Sequence, residues 1–274
     1  MADPPDEFRD ITFGNHLLEL IVDPSTWLLL AFVGLVAGFI DAVVGGGGLL
    51  SIPALLTLGM PPHLALGTNK LAACFGSSMA AYTYYRQHFF TPSFWYHAFI
   101  ATFLGAVLGS IIVILIDTLW LEKLLPLVII AVALYSLFNS SAMGCARAEA
   151  LKQAPSRLRQ WLQGSILGFY DGFAGPGIGA FWTVSSTKLY QIPLLYSCGL
   201  ARAMTFTSNI TALAIFCYLK QVHLLLGVFM GLCMMLGSFV GARCAIKFGM
   251  PFIRPIFIVI VLAIAANLAW SAWY

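Results

Sequence analysis

Charge is what this chain has least of. Only 9% of its 274 residues are Asp, Glu, Lys or Arg, against 60% hydrophobic residues and a mean hydropathy of +0.90. A soluble domain of this length could not cover that much apolar surface, which excludes a free cytosolic enzyme or binding module. The formal net charge is only +3. Its basic residues lie mainly in connections between apolar runs, so there is no nucleic-acid footprint. The first fifteen residues set Asp3, Asp6, Glu7 and Asp10 against Arg9 alone. They lack the basic start of a cleavable leader, and the segment is expected to be retained. The six cysteines form no C-x-x-C pair and mostly sit inside apolar runs, where they read as small hydrophobes. No Gly-Lys-Ser/Thr follows the glycine run, and neither G-x-S-x-G nor H-E-x-x-H occurs. His16, His63, His88, His97 and His223 are scattered near segment ends without ligand spacing, so no metal or cofactor is called for.

What the chain has in abundance is apolar runs of membrane-crossing length, which make it an all-α polytopic membrane protein in contact with a lipid bilayer. A first run, Trp27 to Val44, is interrupted by Gly45-Gly46-Gly47-Gly48 and resumes as Leu49 to Met60, too short to span alone. That pattern predicts a broken or re-entrant helix. Pro61-Pro62 ends it, and Leu64 to Tyr85 follows as a segment polar at its start. Arg86, Gln87 and His88 mark an aqueous connection. Phe94 to Ile116 is a further span, with Trp95 and Tyr96 as interfacial anchors and Gly105-x-x-x-Gly109 as a close-packing face. Asp117, Glu122 and Lys123 form a turn before Leu124 to Phe138 spans back. The long connection Asn139 to Gln160 carries Arg147, Lys152, Arg157 and Arg159 against Glu149, which places it in the cytoplasm.

Beyond that loop the pattern recurs. A shift of 130 residues lays Gly34, Gly38, Phe39, Asp41, Gly45 and Gly47 on Gly164, Gly168, Phe169, Asp171, Gly175 and Gly177. This is an internal duplication. Further on, Lys70 falls near Arg202 and Gln87 near Gln221, and spans at Leu224 to Ala245 and Ile253 to Trp273 close the second half. The turn at Asp117 to Lys123 is acidic on balance, whereas its counterpart carries Arg243, Lys247 and Arg254 without an acid. Equivalent loops on opposite sides predict inverted repeats of about four to five transmembrane elements each. The expected divisions are a polar segment 1–26, a first repeat 27–139, a basic linker 140–160 and a second repeat 161–274, with eight to ten crossings.

Ionisable groups inside membrane segments face protein or a water-filled path. The candidates are Asp41, Lys70, Asp171, Lys188 and Arg202. Lys70 and Arg202 could converge on an anion, aided by backbone N–H groups freed at Gly46, Gly47, Gly48 and Gly177 and by oriented half-helix N-termini. Ser51, Thr68, Asn69, Thr205, Ser208 and Asn209 would complete the donor set, with Asp41 and Asp171 as coupling or charge-balancing acids. The bland alternative pairs Asp41 with Lys70 and Asp171 with Arg202, the glycines serving only close packing. Two membrane aspartates could also suggest an intramembrane protease, but duplication already accounts for both.

Several of these residues form a specific pattern. Gly38-Phe39-Ile40-Asp41, the four glycines, Pro53, Gly59-Met60-Pro61-Pro62-His63 and Ala65-Leu66-Gly67-Thr68-Asn69-Lys70 resemble the first repeat of the sulfite exporter TauE/SafE family, the toluene-sulfonate uptake permeases. Gly168-Phe169-Tyr170-Asp171-Gly172, Gly175-Pro176-Gly177-Ile178-Gly179, Phe206, Ser208 and Asn209 resemble the second. The pattern departs at Ala201-Arg202 and Thr205, where the family often has Thr-Lys and a later Asn. The resemblance implies a secondary transporter, not an enzyme, that moves sulfite, sulfonate or a related small inorganic or organic anion across a bacterial inner membrane by alternating access. Proton coupling, a channel mechanism, another anionic metabolite, the direction of transport and the oligomeric state stay open at this point.

Overall fold

The computed structural model describes residues 23–121, 123 and 154–249. The acidic start, the span Leu124 to Phe138, most of the basic loop and the closing span Ile253 to Trp273 lie outside the described residues. Within them the same order of elements occurs twice. The first half runs α1 (Pro24–Val43), α2 (Gly48–Thr57), α3 (Pro62–Arg86), a 3-10 turn (Pro92–Trp95) and α4 (Tyr96–Leu115). The second runs α5 (Arg157–Phe173), α6 (Ile178–Tyr190), α7 (Leu194–Tyr218) and α8 (Leu224–Phe248). Among the described residues, four stretches are long and apolar enough to cross a membrane: Pro24–Val43, Pro92–Leu115, Leu194–Tyr218 and Leu224–Phe248. Phe32, Leu108 and Leu236 are among the large apolar side chains left exposed on them, as lipid-facing surfaces require.

The interruptions fall where the glycines are. Gly45 has φ +92° and Gly175 φ +86°, a backbone region costly for any residue with a Cβ. Each turns the chain sharply after the first helix of its half. The helix that restarts has 10 residues in α2 and 13 in α6. At 1.5 Å per residue these reach only about 15 to 20 Å, so neither spans a bilayer alone.

The halves are interlocked. The first α-helix of each half packs along the fourth of the other, α1 on α8 and α5 on α4, while α3 and α7 cross between them. Small residues permit the close approach. A Cβ at Gly105 would overlap Ser165 O and one at Gly237 would overlap Leu35 O, so the Gly105-x-x-x-Gly109 face packs as its spacing suggests. The turns repeat the exchange: Gly67 on α3 abuts the carbonyl of Gln221, and Gly199 on α7 abuts that of Phe89. His88 and Lys220 both have positive φ, 63° and 56°. These matches put the register of the later elements at 132 residues, so Gln221 corresponds to Phe89 and not to Gln87.

One local expectation needs correction. Trp95 is not an interfacial anchor: it is 4% exposed and packs edge-on against Tyr190, with ring centroids 4.9 Å apart. The 3-10 turn directs it inward, while its neighbour Tyr96 is 64% exposed. The five described cysteines are free, and of these Cys74 and Cys198 are buried as small hydrophobes would be. Cys145 lies outside the described residues.

His223 caps α8, its Nδ1 accepting the Leu226 N–H at 3.3 Å, which requires that nitrogen to be unprotonated. Partial burial lowers its titration below the usual histidine value. The cap's contribution is therefore present above about pH 6.5 and lost as pH falls through the lower folded value. Thermal unfolding in detergent is expected to worsen on acidification, and less so in His223→Asn, which caps without titrating. Close packing yields a second expectation. Gly38→Val, driven into the Met234 carbonyl, should cost about 2 kcal/mol or more. Gly46→Ala, whose Cβ would meet only Leu49 and Ile40 side chains at 3.5 and 3.6 Å, should stay within about 0.5 kcal/mol in the same melts.

Candidate functional site

Both helix breaks open onto one cavity. Its walls come equally from the two halves: Asp41, Gly45, Gly48, Asn69, Lys70 and Ala73 from the first, and Asp171, Gly175, Gly177, Ile178, Thr205 and Asn209 from the second. The starts of α2 and α6 face it, and first-turn N–H groups without intrahelical partners give such ends a partial positive charge. Its volume is about 20 Å³, room for roughly one water and not for an oxyanion.

The charged groups do not pair within their own halves. Lys70 Nζ contacts Asp171 Oδ1 at 2.6 Å, and Arg202 Nη1 contacts Asp41 Oδ2 at 3.1 Å. Each cation also donates to the backbone carbonyl of the aspartate it reaches, Lys70 to Asp171 O at 2.5 Å and Arg202 to Asp41 O. Those carbonyls belong to the last turns of α5 and α1, where helix geometry leaves acceptors unsatisfied and the dipole is negative. A cation from one half thus caps the broken helix of the other. The within-half pairing of Asp41 with Lys70 and Asp171 with Arg202 is corrected accordingly: the crossing of α3 and α7 carries each cation past its own break.

The two cations are placed differently. Lys70 lines the cavity beside Gly175, and its three donors go to Asp171 O, Asp171 Oδ1 and, at 3.1 Å, Asn209 Oδ1. Arg202 does not line it. Its guanidinium lies between Gly45 and Gly179, where a Cβ on either would overlap Nη2, and its buried Nε has no partner among the described residues. Arg202 clamps the two breaks together, and Lys70 faces the space between them.

Of the remaining residues expected here, Asn69, Gly48, Gly177, Thr205 and Asn209 line the cavity. Thr205 Oγ1 is buried with no partner among the described residues, an orphan hydroxyl at the cavity wall. Ser51 and Ser208 stand behind it: Ser51 Oγ donates to Asn69 Oδ1 at 2.5 Å, and Ser208 Oγ donates to Asp171 Oδ2. The Gly47 N–H reaches Asp41 Oδ1 at 3.4 Å, and Gly46 is a spacer in the turn. Thr68 serves the periphery, accepting the His223 N–H at 3.0 Å. Lys188 is exposed in the last turn of α6, away from the cavity lining. Two supports were not anticipated. Tyr84 OH donates to Ala42 O at 3.1 Å and Tyr170 OH to Pro176 O at 2.7 Å, each holding a carbonyl beside a break. No periodicity distinguishes such tyrosines from core aromatics.

The family model for the sulfite exporter TauE/SafE matches residues 30–268. A "Probable membrane transporter protein" of Haemophilus influenzae is 36% identical over 247 residues, covering 90% of this chain and 96% of its own. The "Probable membrane transporter protein YfcA" of Escherichia coli K12 is 33% identical over 252 residues, covering 92% and 93%. The "Probable membrane transporter protein ORF9" of a Sinorhizobium species is 34% identical over 243 residues, covering 88% and 92%. No solved structure matches the chain.

The crossed pairing is open to a double-mutant cycle. Lys70→Met or Asp171→Asn alone strands a buried charge and should cost about 3 to 5 kcal/mol. The double variant should be less damaging than the sum by about 2 kcal/mol or more, whereas Lys70→Met with Asp41→Asn should come closer to additivity, measured by unfolding in detergent.

Proposed function

The chain belongs to the sulfite exporter TauE/SafE family, whose members are membrane transporters and not enzymes, and on that premise we propose that it is a secondary carrier of small sulfur-containing anions. Sulfite, sulfonates and related oxyanions form the substrate class. The site lies between the two helix breaks, with Lys70, Asn69, Thr205, Asn209 and the first turns of α2 and α6 as its donors. Its repeats, 27–139 and 161–274 around the basic linker 140–160, are related as inverted copies in a bacterial inner membrane and alternate its exposure between the two sides.

The observation that carries this reading is the cavity lined equally by both halves, too narrow as it stands to hold or pass an oxyanion. A carrier passes through a state sealed on both sides, whereas a conducting channel needs a continuous path. The donor set supports an oxyanion: an ammonium, a hydroxyl without a partner, amide groups and two helix N-termini supply the several N–H and O–H contacts that tetrahedral or pyramidal oxygens accept. It also lacks two-fold chemical symmetry. At matching positions of α3 and α7, Asn69 stands against Ala201 and Ala73 against Thr205, so a bound anion meets different groups on its two sides.

Counterflow tests the carrier reading. In proteoliposomes, unlabelled sulfite inside is expected to accelerate entry of labelled sulfite, and Lys70→Ala should slow that exchange about tenfold or more, equivalent to roughly 1.4 kcal/mol. Uptake indifferent to internal anion contradicts a carrier, and unchanged exchange in Lys70→Ala contradicts this site.

A further inference from the structure

The charged groups at the two breaks balance, Lys70 and Asp171 with Asp41 at the cavity wall and Arg202 behind it, all nine-tenths or more buried. An anion entering such a space alone leaves a negative charge uncompensated in a low-dielectric setting, which is strongly unfavourable. Lys70 moreover has no donor to spare, because all three of its protons are engaged. Binding therefore calls for a compensating proton at a group whose protonation also releases Lys70.

The two aspartates differ in their capacity to hold that proton. The two side-chain oxygens of Asp41 receive the Gly47 N–H and the Arg202 guanidinium, both donors without an acceptor site, so a proton there would find no partner among these contacts. Asp171 has Lys70 on Oδ1 and the Ser208 hydroxyl on Oδ2. A hydroxyl donates and accepts. If Asp171 takes a proton on Oδ2, Ser208 Oγ can accept it and turn its own O–H to Met204 O or Thr205 O, each 3.1 Å away. Lys70 keeps Asp171 O and Asn209 Oδ1 as acceptors, and the third N–H, released from Oδ1, becomes available to an anion beside the Thr205 hydroxyl.

We propose that Asp171 is the proton carrier of this transporter, taking up one proton as one negative charge binds at Lys70, with Ser208 as the hydroxyl that accommodates it. This inference rests on the anion-carrier reading and adds the coupling ion, its stoichiometry and its residue. The charged and titratable groups around Asp171 are Lys70 and, one turn on, Cys74 from α3; Asp41 across the cavity from α1; Arg202 from α7; and Tyr170 beside it on α5. The packed helix α4 contributes the Ser110 hydroxyl, donating to Gly172 O at 3.2 Å. The proton moves from bulk water to Asp171 Oδ2 on binding and returns to water when the anion leaves on the other side, and no covalent bond to the anion forms.

The test measures binding of methanesulfonate and of sulfate to purified protein from about pH 5 to pH 8, a range in which neither probe changes charge. In the wild type, Kd for methanesulfonate is expected to rise up to about tenfold per pH unit across this range, with about one proton taken up per methanesulfonate in weakly buffered solution. The slope should vanish in Asp171→Asn and persist in Asp171→Glu and Asp41→Asn. Binding flat in pH in the wild type, or a slope that survives in Asp171→Asn, overturns the assignment. Should Asp171→Asn not fold, proton uptake by the wild type decides, with none per anion overturning the proposal. Failure of the wild type to bind either probe at any pH overturns the anion reading itself, and this inference with it.

Discussion

The ion pair between Lys70 and Asp171 is the contact on which the remaining architecture depends. A helix interrupted inside a membrane leaves carbonyls without partners, and nothing in hydrocarbon can satisfy them. Here the C-terminal end of α5 receives Lys70, and in the mirrored arrangement the end of α1 receives Arg202. Each half thus supplies the cap that the other half's break requires. The glycines that turn the chain also make room for those cations, with Lys70 Nζ against Gly175 and the Arg202 guanidinium between Gly45 and Gly179.

Duplication gave two similar devices, and divergence has given them different tasks. Arginine at 202 is planar and permanently charged, and it holds the breaks together from outside the cavity. Lysine at 70 is a compact ammonium on a flexible stem and lines the space between them. The amide of Asn209 meets Lys70 and the orphan hydroxyl of Thr205 lines the same cavity, which adds polar capacity to the space that Lys70 faces.

Much of this was legible in the amino-acid order. The six matched positions from Gly34 to Gly47 expose the duplication, the glycine runs locate the breaks to within a residue or two, and low charge with long apolar runs fixes the membrane class. The membership of the site was partly legible, because polar residues in apolar segments are few. The pairing was not. Lys70 and Asp171 are 101 positions apart and Arg202 and Asp41 161 apart, so their meeting depends on the crossing of α3 and α7, which no local period encodes. The burial of Trp95 was missed for a similar reason: an aromatic at a segment end reads as an interfacial anchor until Tyr190 arrives from the other half.

The central claim is that the two breaks enclose one anion site that opens to each side in turn. Accessibility of Thr205→Cys, with the native cysteines replaced, measures this most directly. A membrane-impermeant thiol reagent applied separately to each face of oriented vesicles is expected to label position 205 from both, with both reactions slowed by sulfite. Labelling from one face only, or labelling from both that sulfite leaves unchanged, would contradict it.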